Sequence, residues 1–316
     1  MKFLVTGGAG FIGSHLVDRL LGDGHKVRVL DNFATGRREN LVRVLGDIEL
    51  VEGDIQSYER AHTAVRGMEV VLHHAALPSV PRSVQDPLTS NASNVIGTLN
   101  VLLAARDSGV RRVVYASSSS VYGSNPVLPK HEELAPLPIS PYAVAKLAGE
   151  GYARSFYEVY GLETVALRYF NVFGPRQDPM SQYAAVIPNF ISAFLADEPP
   201  RVFGDGNQSR DFTPVENVVE ANLRAIESRR GDGRVYNVAC GERISVNRVL
   251  ERLRGLTGKD IQAMHEPALP GEVRDSVADL SRSMNELGYR PLVPFEAGLQ
   301  RTLEHFRESG AVVSIT

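Results

Sequence analysis

Two periodicities alternate along the first half of the chain. Runs of about five β-branched and apolar residues, the length of a buried strand, are separated by longer stretches with apolar positions at helical spacing. The pattern predicts strands at Lys2–Thr6, 26–30, 48–51, 69–73, 111–117 and 164–168. It predicts helices at 11–23, where Ile12, Leu16 and Leu20 form one stripe, and near 59–65, 86–108 and Pro141–Tyr160. Such alternation builds a parallel sheet with helices on both faces, and right-handed crossovers make the doubly wound (Rossmann) α/β arrangement the expected topology. Gly109 and Gly161 each follow a helical stretch, where a glycine commonly closes the last turn.

After residue 170 prolines break this rhythm into shorter elements. The expected organisation is a sheet domain over 1–170 and a smaller α+β domain over 171–316, with segments near 212–238 returning to the sheet. Ligands of open α/β sheets lie beyond the carboxyl ends of the strands, so a second domain there would cover that crevice. No repeat or low-complexity tract interrupts the pattern.

Composition narrows the class. The chain has 316 residues, 43% of them hydrophobic, with 34 Lys+Arg against 37 Asp+Glu and a formal charge of −3. That balance lacks the basic footprint of a nucleic-acid binder. Cys240 is the only cysteine, which excludes an intrachain disulfide and a Cys-rich metal site and suits a reducing, cytoplasmic location. Nothing approaches the roughly 20 apolar residues of a membrane span, and Phe3-Leu4-Val5 is too short for a signal-peptide core. A soluble enzyme is the expected class, with no metal.

The first strand-to-helix turn reads Thr6-Gly7-Gly8-Ala9-Gly10-Phe11-Ile12-Gly13. Glycine is needed there for a tight turn, for close approach of amides to a pyrophosphate, and for helix–strand packing. The helix N-terminus adds unpaired N–H groups and a partial positive charge. Asp31 ends the second strand and can accept both hydroxyls of an adenosine ribose while repelling a 2′-phosphate, which favours NAD over NADP. Arg37 and Arg38 follow; they are either partners for such a phosphate or solvated loop charges. Asp54 and Ile55, after the third strand, are positioned to meet the adenine, although an ordinary turn carboxylate is an equal reading.

Tyr142 and Lys146 lie four apart at the start of a helix opened by Ser140-Pro141, so both point to one face. A phenol is a poor base near neutrality, with an unperturbed pKa near 10, but a neighbouring ammonium and a cationic nicotinamide favour its phenolate. Such a tyrosine can remove an alcohol's proton as hydride leaves. Lysine is scarce here, five against 29 arginines, so Lys146 stands out from the background. Ala116-Ser117-Ser118-Ser119-Ser120-Val121-Tyr122-Gly123 ends the fifth strand and supplies hydroxyls that can share that proton; a flexible polar loop is the plain alternative.

In order, TGGAGFIG, DN, GDI, HAA, SSSxVYG, YxxxK, RYFNVFGPRQ and SRDF resemble the extended short-chain dehydrogenase/reductase superfamily over nearly the whole chain. More narrowly, the sequence is similar to the NAD-dependent nucleotide-sugar 4-epimerases that act on UDP-glucose or UDP-N-acetylglucosamine. The resemblance implies that Ser118, Tyr142 and Lys146 are catalytic, with Ser119 a supporting donor. It implies that Asn32, Ala75, Ala76, Asn94 and Tyr169 join Gly7, Gly10, Phe11, Ile12, Gly13, Asp31, Asp54 and Ile55 around NAD, with His74 beside Ala75. It further implies that Asn171, Ala185, Val186, Phe203 and Arg210 hold the UDP portion, and that Ser79, Arg82 and Ser83 are sugar contacts. Arg210 paired with Asp211 on the surface is the competing reading. Helices 86–108 and 141–160 would pair with a second copy of the chain in a homodimer.

Sister activities differ in a few positions. The 4,6-dehydratases carry an Asp-Glu pair where this chain has Ser119-Ser120, and UDP-glucuronate decarboxylases carry a Glu at the Ser120 position. UDP-glucuronate 4-epimerases have Thr at the Asn171 position and Arg at the Asp178 position, and Asp178 would repel a sugar carboxylate. Neutral sugars are therefore expected. Ser276 matches the position that limits room at the sugar's C2 substituent, and a serine leaves volume for an N-acetyl group. Pro78 replaces a family Lys, and Leu269 stands where a diphosphate-binding Arg is expected, with Arg274 nearby. His73 and His74 are expected as core or hinge residues and Cys240 as a small buried hydrophobe. The alternatives are an epimerase restricted to UDP-glucose or using another nucleotide sugar, and a catalytically silent NAD-binding regulator.

Overall fold

The computed structural model describes residues 1–178, 186–268 and 274–309. Strands β1 (Lys2–Thr6), β2 (Lys26–Asp31), β3 (Ile48–Glu52), β4 (Val70–His73), β5 (Arg112–Ser118) and β6 (Glu163–Tyr169) all pair in parallel. With β11 (Asp232–Val238) they form a seven-stranded sheet in the order β11-β6-β5-β4-β1-β2-β3. Order reverses between β1 and β4, and the crevice at that switch point is where an open sheet of this kind binds its ligand. β11 closes the edge of the sheet beside β6.

Alternate residues of the central strands feed two cores. Phe3, Val5, Val27, Val29 and Leu72 pack against α1 (Phe11–Gly22) and α8 (Val215–Glu227). Leu4, Leu30, Val71 and Val113 face α2 (Tyr58–Val65), α5 (Gly97–Asp107) and α6 (Pro141–Tyr160). A strand buried on both faces has no polar side to show, which is why these runs are continuously apolar.

The helix expected over 86–108 is more elaborate. A short helix, α3 (Val80–Gln85), precedes it; α4 (Pro87–Asn91) is capped by the Asp86 carboxylate, which accepts from Thr89 N; and a π-turn at Ala92–Ile96 joins α4 to α5. The π-turn carries Asn94, whose amide grips both backbone groups of Leu77, at 2.8 and 3.0 Å. A local expansion of the helix thereby serves the loop after β4.

Beyond β6 the chain builds a second core. Helices α7 (Val186–Leu195), α9 (Val246–Thr257) and α10 (Phe295–Ser309) bury Phe190, Phe194, Val249, Leu253, Leu299 and Phe306 with Phe173, Phe212 and Phe295. Short strand pairs stitch it together: β7 (Val172–Phe173) with β10 (Thr213–Pro214), β8 (Arg201–Phe203) with β13 (Met264–Glu266), and β9 (Ser209–Arg210) with β12 (Ile244–Ser245). Among the described residues no helix is long and apolar enough to cross a membrane.

Arg112 ties α8 to the sheet. It is 2% exposed, donates to the carbonyls of Ala225, Ile226 and Ser228 at the end of α8, and pairs with Glu163 at 2.8 Å. Removing it strands buried acceptors that α8 cannot satisfy itself. Arg112→Met is expected to lower stability by about 2 kcal/mol or more, read as a lower urea midpoint at unchanged m-value. An unchanged midpoint would remove this role.

Candidate active site

The turn after β1 is shaped by backbone contacts. Gly7 adopts φ +69°, and a Cβ there would come within 2.7 Å of Ala75 N. At Gly13 an added Cβ would collide with the Gly7 carbonyl, so helix α1 packs where only glycine fits. Gly10 caps α1 in an extended conformation with no side-chain hydrogen bond, leaving its first-turn amides for an external acceptor. These amides open on a cavity of about 550 Å³ lined by Gly7, Gly10, Phe11, Ile12, Gly13, Asp31, Asn32, Asp54, Ile55, Ala75, Ala76, Tyr142, Lys146 and Tyr169. All of the expected cofactor residues except Asn94 therefore meet in one cleft, and Ser79 lines it too.

Asp31 sits 6% exposed at the end of β2, accepting from Ala9 N at 2.9 Å and Phe33 N at 2.8 Å. Burial raises its carboxyl above the usual range, and the backbone N–H bonds oppose that rise. Asn32 donates to Asp54 at 2.8 Å, joining the ends of β2 and β3. Neither nearby arginine is a free cation: Arg37 pairs with Asp178 at 2.6 Å, and Arg38 pairs with Glu52 with its guanidinium 3.9 Å from the Phe33 ring centre. Uncapped helix amides, an acidic strand end and neutralised arginines fit the pyrophosphate and unphosphorylated ribose of NAD. The pairing also changes one sequence argument. Asp178 lines the cofactor cavity and is engaged by Arg37, so its charge is not left to repel a sugar carboxylate.

Helix α6 presents Tyr142 and Lys146 on the face toward the ends of β4, β5 and β6. Ser140 caps it through Ala143 N, and Pro141 occupies its first turn. The Lys146 ammonium donates to Ala116 O at 2.7 Å and lies 5.8 Å from the Tyr142 ring centre. Burial lowers its pKa to about 8, opposed by the field of Glu150. Burial pushes the Tyr142 phenol up to about 12, and a hydrogen bond with Ser118 works against that. Ser118 also caps the following 3-10 turn, Ser119–Tyr122, by accepting from Ser120 N.

Supporting residues place this pair. Ser83 is buried; its hydroxyl donates to Val80 O and accepts from Tyr142 N, so it anchors the start of α6 rather than facing the cavity. Asn94 likewise holds the loop of Ala75–Leu77 from behind instead of lining the cleft. Thr6 joins Ala75 N to His73 Nδ1, and His73 Nε2 reaches Thr98, which donates onward to Asn94 O. His73 is thus a satisfied core histidine, and burial drops its pKa to about 3. His74 Nε2 and the Tyr169 hydroxyl share a hydrogen bond at 2.9 Å, and Asn222 donates to the same hydroxyl oxygen. Cys240 is half-buried, more open than expected, and burial raises its thiol to about 12.

The remaining expected contacts gather elsewhere. Ser276 N donates to Ser209 O, and Arg210 donates to the carbonyls of Ser209 and of Arg274, 64 positions away in the chain. Asp211 does not pair with Arg210. It is fully buried and gathers the amides of Cys240, Gly241 and Ala278 at 2.9–3.1 Å. Asn171, at φ +33°, accepts from Thr213 N; Val186 opens α7; Phe203 ends β8 with 37% exposure. Among the described residues, none of Asn171, Val186, Phe203, Arg210 and Ser276 lines the cofactor cavity. Ala185 and Leu269 lie outside the described residues.

Sequence reasoning passed over three features. Glu150 and Arg168 form a buried pair behind Lys146; the i+4 spacing of Tyr142, Lys146 and Glu150 is a signal that was available. The Arg37–Asp178 bridge spans 141 residues and has no local signature. Arg176, which lines the cavity and binds Asp18 at 2.5 Å, owes its place to the turn after β7.

Comparison with known proteins agrees with this geometry. Residues 3–239 match the NAD dependent epimerase/dehydratase family. A UDP-glucose 4-epimerase of Mycolicibacterium smegmatis is 40% identical over 311 residues, 97% of this chain and 99% of that protein. Among solved structures, a UDP-N-acetylglucosamine 4-epimerase from Methanobrevibacter ruminantium M1, in complex with UDP-N-acetylmuramic acid, superposes with a TM-score of 0.93 at 41% identity, covering 98% of both chains. A Thermus thermophilus UDP-glucose 4-epimerase in complex with NAD gives 0.89 at 39% identity, covering 97% of this chain and 99% of that one. With its glycine turn, its acidic strand end and its Tyr142–Lys146 pair in one cleft, the chain belongs to the NAD dependent epimerase/dehydratase family.

Proposed function

We propose that this protein is a UDP-hexose 4-epimerase that interconverts UDP-glucose with UDP-galactose and UDP-N-acetylglucosamine with UDP-N-acetylgalactosamine. One observation carries the reading. The Tyr142 hydroxyl meets Ser118, Tyr142 and Lys146 line the cofactor cavity together, and the residues after Ser118, Ser119 and Ser120, are not carboxylates. Removal of water or carbon dioxide needs an added acid or base there; inversion at C4 does not.

Bound NAD supplies a hydride acceptor that can return the hydride. The chain's own task is to manage the proton. Ser118 orients the sugar's 4-hydroxyl toward Tyr142, which takes its proton as the C4–H bond breaks and gives it back after the 4-keto sugar has turned its other face. Burial holds the Tyr142 phenol near 12 with Lys146 already beside it, so the cationic nicotinamide of bound NAD would add to the ammonium in favouring the phenolate. Residues 1–170 with the returning segment hold the cofactor in this reading. Residues 171–316 hold the UDP portion, through Arg210 and Asn171, with Ser276 leaving room for an N-acetyl group.

The enzyme also acts as a homodimer. Leu88, Ile96, Val144, Val159 and Tyr160 are 83%, 45%, 53%, 66% and 51% exposed along α4–α6, an apolar surface that a second copy would cover.

Three results test this. Incubated with UDP-glucose, UDP-N-acetylglucosamine and UDP-glucuronate, the purified protein is expected to epimerise the first two; conversion of UDP-glucuronate alone would overturn the substrate reading. Tyr142→Phe is expected to cut turnover by about 10²–10⁴-fold with NAD still bound, and wild-type rates would refute the mechanism. Sedimentation should give the mass of two chains, and Val144→Glu should shift it to one.

A further inference from the structure

Helix α6 carries a third residue in line with Tyr142 and Lys146. Glu150 is one turn beyond Lys146, 5% exposed, and sits behind the pair on the same face. Its Oε1 accepts from Ser117 Oγ at 2.5 Å and from Arg168 Nε at 2.8 Å, while Oε2 accepts from Arg168 Nη2 at 2.7 Å. Arg168, on β6, is 3% exposed and lies 4.7 Å over the Tyr122 ring. A forked arginine and a serine thus hold the carboxylate in a single orientation.

Two bonds from α6 fasten the end of β5 immediately before Ser118. Lys146 binds Ala116 O, and Glu150 binds the Ser117 side chain. The other groups facing Lys146 bring no compensating charge. Tyr115 from β5 has its ring centre 5.2 Å away and its phenol is pushed up by burial, and His73 from the end of β4 and His74 just after it are both held near 3 and stay neutral. On α6 itself the neighbours are Tyr142 and Glu150. Glu150 is the carboxylate whose field reaches Lys146, opposing the loss of its proton on burial. A buried ion pair is a poor source of stability, because desolvation cancels much of the attraction. Its placement behind the ammonium has a different use.

We propose that Glu150, oriented by Arg168, is a positioning residue for the Tyr142–Lys146 pair: it stands one turn behind the ammonium as a buried carboxylate and fixes the strand end that carries Ser118. The inference rests on the roles given above to Tyr142 and Lys146. The sign is definite. Lys146 supports the Tyr142 phenolate only while protonated, so turnover falls as pH rises through the lysine's pKa. Removing the negative neighbour lowers that pKa and brings the fall to lower pH.

The test is kcat against pH for NAD-loaded wild type, Glu150→Gln and the double variant Glu150→Gln/Arg168→Gln, with UDP-glucose or UDP-N-acetylglucosamine. In Glu150→Gln the alkaline fall is expected about one pH unit or more below wild type, with KM changed far less than kcat. The double variant does not leave Arg168 buried without its carboxylate, and its fall is expected between the other two; should the single variant not fold, a fall below wild type in the double variant still supports the proposal. A fall at the wild-type pH in either folded variant, whatever the drop in kcat, would overturn it. Tyr142→Phe run in parallel separates the two ideas. If that variant turns over normally, the mechanism fails; if it is dead while Glu150→Gln keeps the wild-type profile, only this inference fails.

Discussion

The contact of helix α6 with the ends of β5 and β6 is the constraint on which the rest of the site depends. Through it a lysine ammonium is taken out of water and held to one backbone carbonyl, that of Ala116. A buried cation needs both an acceptor and a reason to remain charged, and the fold supplies each from a different element. The carbonyl comes from β5, the counter-charge from the next turn of α6, and the group that fixes the counter-charge from β6. Small residues make the contact possible. A Cβ at Gly149 would overlap the Tyr115 phenol, so the helix can approach the strand only where a side chain is missing.

The cofactor half of the cleft follows a different logic. The groups proposed to recognise the cofactor are backbone amides and a single carboxylate, whose positions are set by the β1–α1 turn and by the end of β2. Three arginines around it are paired: Arg37 with Asp178, Arg38 with Glu52, Arg176 with Asp18. Exposed pairs like these add little stability, but they decide which charges are left to meet a ligand. Near Asp31 both Arg37 and Arg38 are paired, which agrees with the proposed reading of a cofactor lacking a 2′-phosphate.

Much of this was legible in the sequence because the interactions are local. The glycine turn, the acidic end of β2, and the one-turn spacing of Tyr142 and Lys146 are all written within stretches of a few residues. The helix over 86–108 shows the limit of such reading. Its apolar period was clear, yet its π-turn depends on Asn94 reaching the loop at Leu77, a contact made only after β4 and α5 have packed. Ser83 makes the same point. Its position suggested a sugar contact, and packing turned its hydroxyl toward the backbone of Tyr142.

What the sequence determined alone was therefore the alternating α/β sheet, the cofactor turn and the residue types able to move a proton, since each follows from periodicity or short-range spacing. Tertiary structure decided which charges are cancelled, which hydroxyls face the cleft and which residue stands behind Lys146. Those outcomes depend on distances between segments far apart in the chain. Asp178 illustrates the division. From sequence it was a negative charge free to repel a substrate; folding brought Arg37 across 141 residues to meet it, and an ion pair within reach outweighs a preference written in either residue alone.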